Sequence, residues 1–173
     1  MANSLEAFIR TIPDFPKSGI QFKDITPLLA DPVALQQAAD ALAEPYRGQG
    51  ITKVVGIEAR GFIFGPMLAS LLSAGFIPAR KPGKLPAETR AASYALEYGT
   101  DTIEMHADAL TSNDLVLIHD DVIATGGTAS AAAQLVAEAG ASLAGFSFIV
   151  ELAFLEGRTS LPPETPVASL FTF

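Results

Sequence analysis

Apolar and polar residues follow one another along this chain in blocks that predict strands and helices in alternation. Short apolar runs, flanked by turn-forming residues, predict buried strands at 53–57, 76–80, 115–119, 143–152 and 167–173. Apolar residues at helical spacing predict helices over 32–46, 61–74 and about 127–139. Strands that alternate with such helices indicate one α/β domain, residues 1–173, in which helices cover both faces of a mostly parallel central sheet.

Weaker patterns occupy the stretches between these blocks. Ser4 can cap a short first helix, and the segment 13–27, rich in proline and glycine, predicts irregular structure. Residues 81–92 combine basic residues with proline and glycine and predict an exposed, mobile loop. Alternating side chains over 93–98 and 102–106 predict a two-stranded ribbon beside the sheet.

The charge and composition of the chain narrow the classes of partner. Its 173 residues include 11 basic and 19 acidic ones, a formal charge of −8, and 49% are apolar. An ordered globular protein is expected, and the acidic balance argues against coating nucleic acid or lying on an anionic membrane. The absence of cysteine excludes disulfides and thiolate metal sites. No apolar run reaches the roughly 20 residues that span a bilayer, and no signal-peptide pattern is seen, so we expect a cytoplasmic protein.

The densest chemical signal lies at 115–128, where a buried strand is followed by two acids and a glycine pair. Gly126 and Gly127 lack Cβ atoms, so the backbone there can wrap closely around a phosphate and present its amide groups. Thr125 and Thr128 add hydroxyl donors, and the following helix points its positive dipole end at the same place. The segment therefore predicts a phosphate-binding loop at the carboxyl end of a sheet strand.

Asp120 and Asp121 need a separate explanation. A dinucleotide site usually keeps carboxylates away from the phosphate turn, and the Gly-Lys-Ser/Thr sequence of a Walker loop is absent. Two carboxylates beside a phosphate loop suit a sugar phosphate, whose vicinal ribose hydroxyls they would bind. The simpler alternative is that the acids end a strand and the glycines make a turn, but the combination in this order favours the sugar phosphate.

Residues 119–128, HDDVIATGGT, resemble the signature with which type I phosphoribosyltransferases bind phosphoribosyl pyrophosphate. The resemblance implies that family's α/β fold, with a small N-terminal hood over residues 1–30 and a flexible catalytic loop and β-ribbon lid over 81–106. His119 is a departure, because the family usually has an apolar residue there. The resemblance also implies which residues bind the ribose and its 5′-phosphate: Asp120, Asp121, Ala124, Thr125, Gly126, Gly127 and Thr128.

Residues 15–27 resemble the base-binding hood of the family members that use adenine. The resemblance implies that the backbone at Gln21 and Lys23 recognises the adenine edge and that the Phe22 ring stacks on the base. It also implies that Leu152 packs beneath the base. The family often has valine and arginine in place of Gln21 and Lys23, changes that backbone recognition should survive. Without the resemblance, Phe22 would be interpreted as a core aromatic residue.

Residues 56–65, 80–86 and 93–99 resemble the pyrophosphate loop and the catalytic hood of the same family. The family often has a cis peptide before the residue that matches Ala59. Catalytic roles are implied for Arg60, for Glu97 as the acid–base residue at the purine, and for Tyr98 in closing the lid. Without the resemblance, these residues would be interpreted as a surface arginine and an ordinary ribbon. The residues implied to contact pyrophosphate are Ala59, Arg60, Arg80, Lys81 and Lys84.

The implied reaction transfers 5-phosphoribosyl from phosphoribosyl pyrophosphate to adenine, giving AMP and pyrophosphate in purine salvage. Mg²⁺ is implied as the cofactor, held through the substrate and water without a direct protein ligand. The family is dimeric, which implies a homodimer; helix 61–74 could form its interface or could equally belong to the core. Two alternatives remain. One is transfer to another base, such as xanthine, hypoxanthine or orotate, and the other is a regulator that keeps the sugar-phosphate site without catalysis.

Overall fold

The computed structural model describes residues 5–95 and 99–173, in which strands and helices alternate as the sequence predicts. Ser4, the predicted cap of the first helix, lies outside these residues. Within them the strands are β1 (Arg10–Pro13), β2 (Gln21–Asp24), β3 (Lys53–Ile57), β4 (Gly75–Ala79), β5 (Thr89–Ala95), β6 (Thr100–His106), β7 (Leu115–Ile123), β8 (Ser142–Glu151) and β9 (Val167–Thr172). The helices are α1 (Thr26–Ala30), α2 (Pro32–Ala43), α3 (Gly61–Leu71) and α4 (Gly127–Glu138), and single 3₁₀ turns occur at Glu6–Phe8, Glu44–Tyr46, Ala153–Leu155 and Gly157–Ser160.

The central sheet has the strand order β4–β3–β7–β8–β9, and every pairing within it is parallel. α2 and α3 pack against one face, where Leu42 and Phe64 belong to the core. α4 and the antiparallel ribbon of β5 and β6 cover the opposite face, around Ile118 and Val136. The fold class predicted from the sequence, an α/β domain with helices on both faces of a parallel sheet, is confirmed.

The beginning of α2 shows how the sequence encodes a helix end. Asp31 has an extended backbone, and its Oδ1 accepts hydrogen bonds from the amides of Val33 at 3.0 Å and Ala34 at 2.8 Å. These bonds satisfy two of the amide donors that a helix start leaves without partners. Pro32 has no amide hydrogen, and at this position in the first turn no helical hydrogen bond is lost. Asp31 therefore caps the amino terminus of α2.

The segment predicted to be irregular, 13–27, instead completes a two-stranded hood. β1 and β2 pair in antiparallel fashion, with Arg10 opposite Asp24. The Asp24 carboxylate accepts hydrogen bonds from Arg10 Nη2 at 2.6 Å and from Thr26 Oγ1 at 2.8 Å, which ties the hairpin to the start of α1. The prediction was wrong because each strand has only 4 residues, with prolines nearby, so the alternating pattern is too short to recognise.

α3 has an apolar sequence because its central residues are core residues. Phe64 and Leu68 are fully buried, whereas Ile63 has 38% of its surface exposed. The helix ends at Leu71, earlier than the predicted 74. Among the described residues, no helix combines the length and the apolar character needed to cross a bilayer.

The order of the strands creates a crevice at the carboxyl ends of β3 and β7. From β3 the chain passes through α3 to β4 on one side, and it returns to β7 on the other side of β3. α3 and α4 begin beyond these two strand ends and cover opposite faces. Ligands of open α/β sheets bind at such a point. The residues that follow β3 and β7 are therefore the candidates for a binding site.

His119, the departure from the family signature, lies in the core below α3. It is fully buried, lies 6.3 Å from the Phe64 ring between centroids, and is opposite Ser147 of β8 in the sheet. Neither imidazole nitrogen has a hydrogen-bond partner within residues 5–95 and 99–173, since the backbone contact at Ser147 falls short of hydrogen-bonding geometry. Burial lowers the pKa of His119 to about 4, and that contact offsets it only in part. The ring is therefore neutral at pH 7.

The free energy of unfolding is expected to decrease as the pH is lowered, because His119 is buried in its neutral form. The imidazole is protonated below about pH 6.5 in the unfolded chain but only below about pH 4 in the folded protein. Between these values protonation favours the unfolded chain, so the free energy of unfolding is about 2 kcal/mol lower at about pH 5 than at neutral pH. His119→Leu should therefore lose less free energy of unfolding than the wild type between about pH 7.5 and about pH 5, measured by urea denaturation. Ser147→Ala keeps the ring and should retain the wild-type pH dependence. Equal losses in His119→Leu and the wild type would contradict the assignment.

Candidate active site

The loop between β7 and α4 forms a small cavity lined by its own backbone. The cavity has a volume of about 160 Å³, and the amino terminus of α4 opens into it. Gly126 occupies the cap position with a φ of +81°, and it has no side chain that could accept from the first amides of the helix. Those amides are therefore available to an anion. The predicted residues that line the cavity are Asp120, Ala124, Thr125, Gly126, Gly127 and Thr128.

The 3₁₀ turn Gly157–Ser160 supports this loop from behind, which the sequence analysis did not predict. A Cβ on Gly126 would lie 2.2 Å from the carbonyl oxygen of Gly157, and a Cβ on Gly157 would lie 2.3 Å from that of Ala124. Ser160 Oγ donates to the Thr125 carbonyl at 2.8 Å. The shape of the phosphate loop therefore depends on a segment that follows it at a distance in the chain. Its signal in the sequence is a single glycine without a recognisable motif.

A partly buried ion pair fixes that supporting turn to the sheet. Arg158 donates from Nε and Nη2 to the two carboxylate oxygens of Glu151, at 2.7 and 2.5 Å, and Ser169 Oγ donates to the same carboxylate at 2.9 Å. Arg158 is the main cause that lowers the pKa of Glu151, so this carboxylate stays ionised. The end of β8 and the turn behind the phosphate loop are thus held together.

The two adjacent acids of β7 have different surroundings. The strand continues to Ile123, so both acids belong to it rather than to the loop. Asp121 is nearly buried, and its Oδ2 lies 2.6 Å from Arg60 Nε. Asp120 lines the phosphate cavity, and its Oδ1 accepts from the Asp121 amide at 2.8 Å. Among the described residues, Asp120 has no ion-pair partner.

These surroundings affect the ionisation of both acids. Burial first, and then the neighbouring Asp121 charge, raise the pKa of Asp120 well above its ordinary value. Burial also raises the pKa of Asp121, where Arg60 opposes the change. A donor or cation bound beside Asp120 would favour its ionised form. This cavity therefore combines anion-binding amides with a carboxylate suited to a hydroxyl donor or a cation.

The loop after β3 approaches the end of β7. The Glu58–Ala59 peptide is cis, as the resemblance implies. Gly61 allows α3 to begin directly against β7, because a Cβ there would lie 2.9 Å from the His119 carbonyl oxygen. Since Arg60 of this loop contacts Asp121, the loop is linked to the end of β7 across the crevice.

The predicted pyrophosphate cations of the basic turn are gathered beside this second loop. Arg80 Nη2 donates to Glu58 Oε1 at 2.8 Å, and Lys84 Nζ lies 3.3 Å from the same oxygen. Lys81 Nζ instead contacts the Asp101 carboxylate and, at 3.3 Å, the Tyr94 hydroxyl on the ribbon. The structure thus brings the Arg80 and Lys84 side chains to the loop after β3 and places the Lys81 ammonium on the ribbon. It adds two acidic partners, Glu58 and Asp101, that sequence reasoning did not identify.

A larger cavity of about 570 Å³ lies between the hood, α1 and the start of α3. Phe22 and Lys23 line it together with Arg60, whose guanidinium lies 5.4 Å from the Phe22 ring centroid. The Phe15 ring packs edge-on against Phe22, with 5.2 Å between centroids. Phe22 therefore lines an open cavity, as expected of a base-stacking residue and not of a core aromatic. Gln21 is not among the lining residues.

Two further predicted base-binding residues, Lys23 and Leu152, have hydrogen-bond partners within the protein. Lys23 Nζ donates to Thr11 Oγ1 at 3.0 Å and lies 3.8 Å from the Phe173 ring centroid, so its side chain is occupied within the protein. Leu152 follows β8, and its amide donates to the Ile123 carbonyl at 3.0 Å, next to the phosphate loop. Glu97 and Tyr98, the predicted acid–base and lid residues, lie outside the described residues.

The fold and the paired loops define the class: an α/β protein with the anion-binding architecture of a phosphoribosyltransferase. The pattern of the phosphoribosyl transferase domain matches residues 24–172, and the chain belongs to this family. The adenine phosphoribosyltransferase of Synechococcus sp. (strain JA-3-3Ab) is 58% identical over 163 residues, which cover 94% of this chain and 93% of that protein.

Solved structures agree with the sequence comparison. The crystal structure of adenine phosphoribosyltransferase from Rhodothermus marinus DSM 4252 has a TM-score of 0.94 and 59% identity, with 99% of this chain and 98% of that chain covered. The Saccharomyces cerevisiae enzyme, complexed with D-2,5-dideoxy-2,5-imino-altritol 1,6-bisphosphate and adenine, has a TM-score of 0.92 and 43% identity, with 98% and 97% covered. Within the family, the chain belongs with the adenine phosphoribosyltransferases.

Proposed function

We propose that this chain transfers the 5-phosphoribosyl group from phosphoribosyl pyrophosphate to N9 of adenine, giving AMP and pyrophosphate in purine salvage. One observation carries the proposal: Asp120 stands beside the phosphate cavity, and Arg60 joins the neighbouring acid to the second loop. A sugar with a phosphate at each end matches this order of donors and acceptors. The yeast relative, whose structure contains adenine and an imino-altritol bisphosphate, supports the same occupant.

The ribose phosphate would be held by the cavity at the start of α4. The amides of Gly126, Gly127 and Thr128 would bind the 5′-phosphate, because the helix start leaves them without partners. Asp120 would accept hydrogen bonds from the ribose hydroxyls, and Asp121 would do so while it also holds Arg60. The sugar is thereby oriented with C1 towards the crevice between the loops.

The leaving pyrophosphate and the base would occupy the two ends of the crevice. The Ala59 amide, Arg60 and the basic turn of Arg80, Lys81 and Lys84 would hold the pyrophosphate and stabilise the charge that it gains. Adenine would enter the hood cavity, stack on Phe22 and meet the backbone of Gln21 and Lys23, with Leu152 below it. This arrangement aligns N9, C1 and the departing oxygen.

Two further groups complete the proposed chemistry. Glu97 would accept the proton that adenine loses at N9, and Tyr98 would help the ribbon to exclude water. Mg²⁺ would neutralise the charge of the pyrophosphate. Mg²⁺ prefers oxygen ligands and retains water, so oxygens of the substrate and water would supply its ligands.

The proposal includes a cytoplasmic homodimer, as the family resemblance implies. A chain of formal charge −8 fits small anionic substrates only through a local group of cations, which the turn of Arg80, Lys81 and Lys84 provides. The same charge disfavours nucleic acid and anionic membranes as partners.

Incubation of the protein with phosphoribosyl pyrophosphate, Mg²⁺ and each base in turn tests the function directly. Chromatography should detect AMP and pyrophosphate with adenine, and little or no nucleotide with hypoxanthine, xanthine or orotate. A preference for another base would replace adenine as the substrate. Binding of phosphoribosyl pyrophosphate without a product from any base would favour the regulator.

The combined change Asp120→Asn and Asp121→Asn is expected to weaken the binding of phosphoribosyl pyrophosphate by at least about tenfold, measured by calorimetry. An amide can no longer act as a charged acceptor for the ribose hydroxyls, and Arg60 loses its partner. A double variant with two exposed acids neutralised, Asp108→Asn with Glu164→Gln, controls for the change in net charge. Intact affinity in the Asp120 and Asp121 variant would exclude these acids from the sugar site.

A further inference from the structure

The Glu58 carboxylate accepts three hydrogen bonds from the basic turn. Its Oε1 accepts from Arg80 Nη2 at 2.8 Å and lies 3.3 Å from Lys84 Nζ, and its Oε2 accepts from the Lys81 amide at 3.0 Å. Only 13% of the Glu58 side chain is exposed. The hydrogen bond from Arg80 is the largest cause that holds the pKa of Glu58 at about 2. Glu58 is therefore an ionised, nearly buried anion at the centre of this turn.

The guanidinium of Arg80 holds the turn closed. Nη2 is bound to Glu58, and Nη1 donates to the Lys84 carbonyl at 3.0 Å. The Arg80 backbone exchanges two hydrogen bonds with the backbone of Glu104 on β6, at 2.8 and 2.7 Å. Lys84, in contrast, has half of its side chain exposed and a single long contact to Glu58. The terminal groups of Arg80 are used inside the protein, and the Lys84 ammonium keeps donors for a ligand.

A group of cations this close together needs a fixed counter-charge. Arg60, Arg80 and Lys84 all lie around the cis peptide that precedes Ala59, and like charges repel one another when no anion separates them. Glu58 lies within that peptide, so its side chain and the pyrophosphate-binding backbone are one unit. The position of the carboxylate therefore determines where the basic turn stands relative to the loop.

We propose that Glu58 is a positioning residue, which clamps Arg80 and through it presents Lys84 and the rest of the basic turn to the pyrophosphate. The inference rests on the proposed function for the identity of that ligand. Arg80 acts in this arrangement mainly through the clamp, whereas Lys84 makes the contact. A turn that is already ordered binds its ligand without the additional loss of conformational entropy.

Glu58→Gln tests the clamp, because glutamine keeps the size and one oxygen acceptor but loses the charge. We expect it to weaken the binding of Mg²⁺–pyrophosphate by about tenfold in calorimetry and to raise the KM for phosphoribosyl pyrophosphate to a similar degree. The KM for adenine should change by less than about twofold, since the hood cavity does not include Glu58. Glu58→Asp, which restores the charge, should lie closer to the wild type than Glu58→Gln.

A double-mutant cycle distinguishes a clamp from independent contacts. Arg80→Gln should weaken pyrophosphate binding about as much as Glu58→Gln. The double variant should bind pyrophosphate with about the same affinity as whichever single variant binds it less tightly. Additive losses would mean that Arg80 binds the ligand by itself and would overturn the proposal. Tighter binding in Glu58→Gln would also overturn it, because Glu58 would then compete with the ligand.

Glu104→Gln is the matched control. Glu104 Oε2 accepts from the Gly83 amide at 3.1 Å in the same turn, and within the described residues its carboxylate forms no ion pair with Arg80, Lys81 or Lys84. The substitution leaves the two backbone hydrogen bonds to Arg80 in place. This variant should bind pyrophosphate within about twofold of the wild type. Measurements on the wild type separate the proposed reaction from the proposed clamp. If the wild type bound pyrophosphate but formed no AMP, only the reaction would be rejected. AMP formation with unchanged pyrophosphate binding in Glu58→Gln would reject only the clamp.

Discussion

Gly126→Ala is expected to remove most of the activity and to lower the melting temperature by roughly 5–10 °C. The left-handed backbone at this position, with a φ of +81°, disfavours any residue with a Cβ by about 1–2 kcal/mol. The added Cβ would also lie 2.2 Å from the Gly157 carbonyl oxygen, so the loop or the turn behind it must move. If these amides bind the 5′-phosphate as proposed, their displacement weakens that binding, and we expect kcat/KM for phosphoribosyl pyrophosphate to fall about 100-fold in initial-rate measurements.

Gly48→Ala separates the two causes. Gly48 has a φ of +73°, but a Cβ there would meet no atom within 4 Å. This control should show the backbone penalty alone, with a smaller loss of melting temperature and normal kinetics. If Gly126→Ala resembled Gly48→Ala in both measurements, the contact with Gly157 would have no part in shaping the phosphate loop.

Glu97→Gln is expected to lower kcat by about 100-fold or more, with little change in either KM. Glutamine has a similar size but cannot accept the proton that adenine loses when N9 bonds to C1. The expectation rests on the resemblance of residues 93–99 to the family's catalytic hood, because Glu97 lies outside the described residues. Steady-state kinetics with both substrates varied would measure the effect.

Glu88→Gln provides the comparison for that experiment. Glu88 is an exposed acid that immediately precedes β5, so its neutralisation changes the charge of the ribbon region by the same amount. Its kcat should match that of the wild type. A Glu97→Gln variant with undiminished kcat would remove this residue from the proposed chemistry and leave the proton to another group or to water.

Local sequence patterns were enough to predict the parts of the site that adjoin strand ends. The apolar run at β3 and the run that opens β7 identify buried strands, and glycine pairs or basic residues follow them within a few positions. Since parallel strands end at one edge of a sheet, the two loops had to lie close together. The cavity around Gly126 and the contact between Arg60 and Asp121 agree with that reasoning.

Contacts between residues far apart in the chain could not be predicted in this way. No local pattern assigns a partner to Glu58 or Asp101, and their roles become visible only when the fold brings Arg80 and Lys81 to them. The difference in burial and ion pairing between Asp120 and Asp121 likewise depends on which face of β7 meets α3. The resemblance implied the hood, but its two strands were not predicted because they are short and lie close to prolines.

The close packing of the loop against the turn behind it also limits which substitutions this protein can tolerate. A Cβ on Gly126 would meet the Gly157 carbonyl oxygen, and a Cβ on Gly157 would meet the Ala124 carbonyl oxygen. The nearest obstructing atom in each case belongs to the backbone, so no exchange of a neighbouring side chain removes it. A larger residue at either position therefore requires the loop and the turn to change course together.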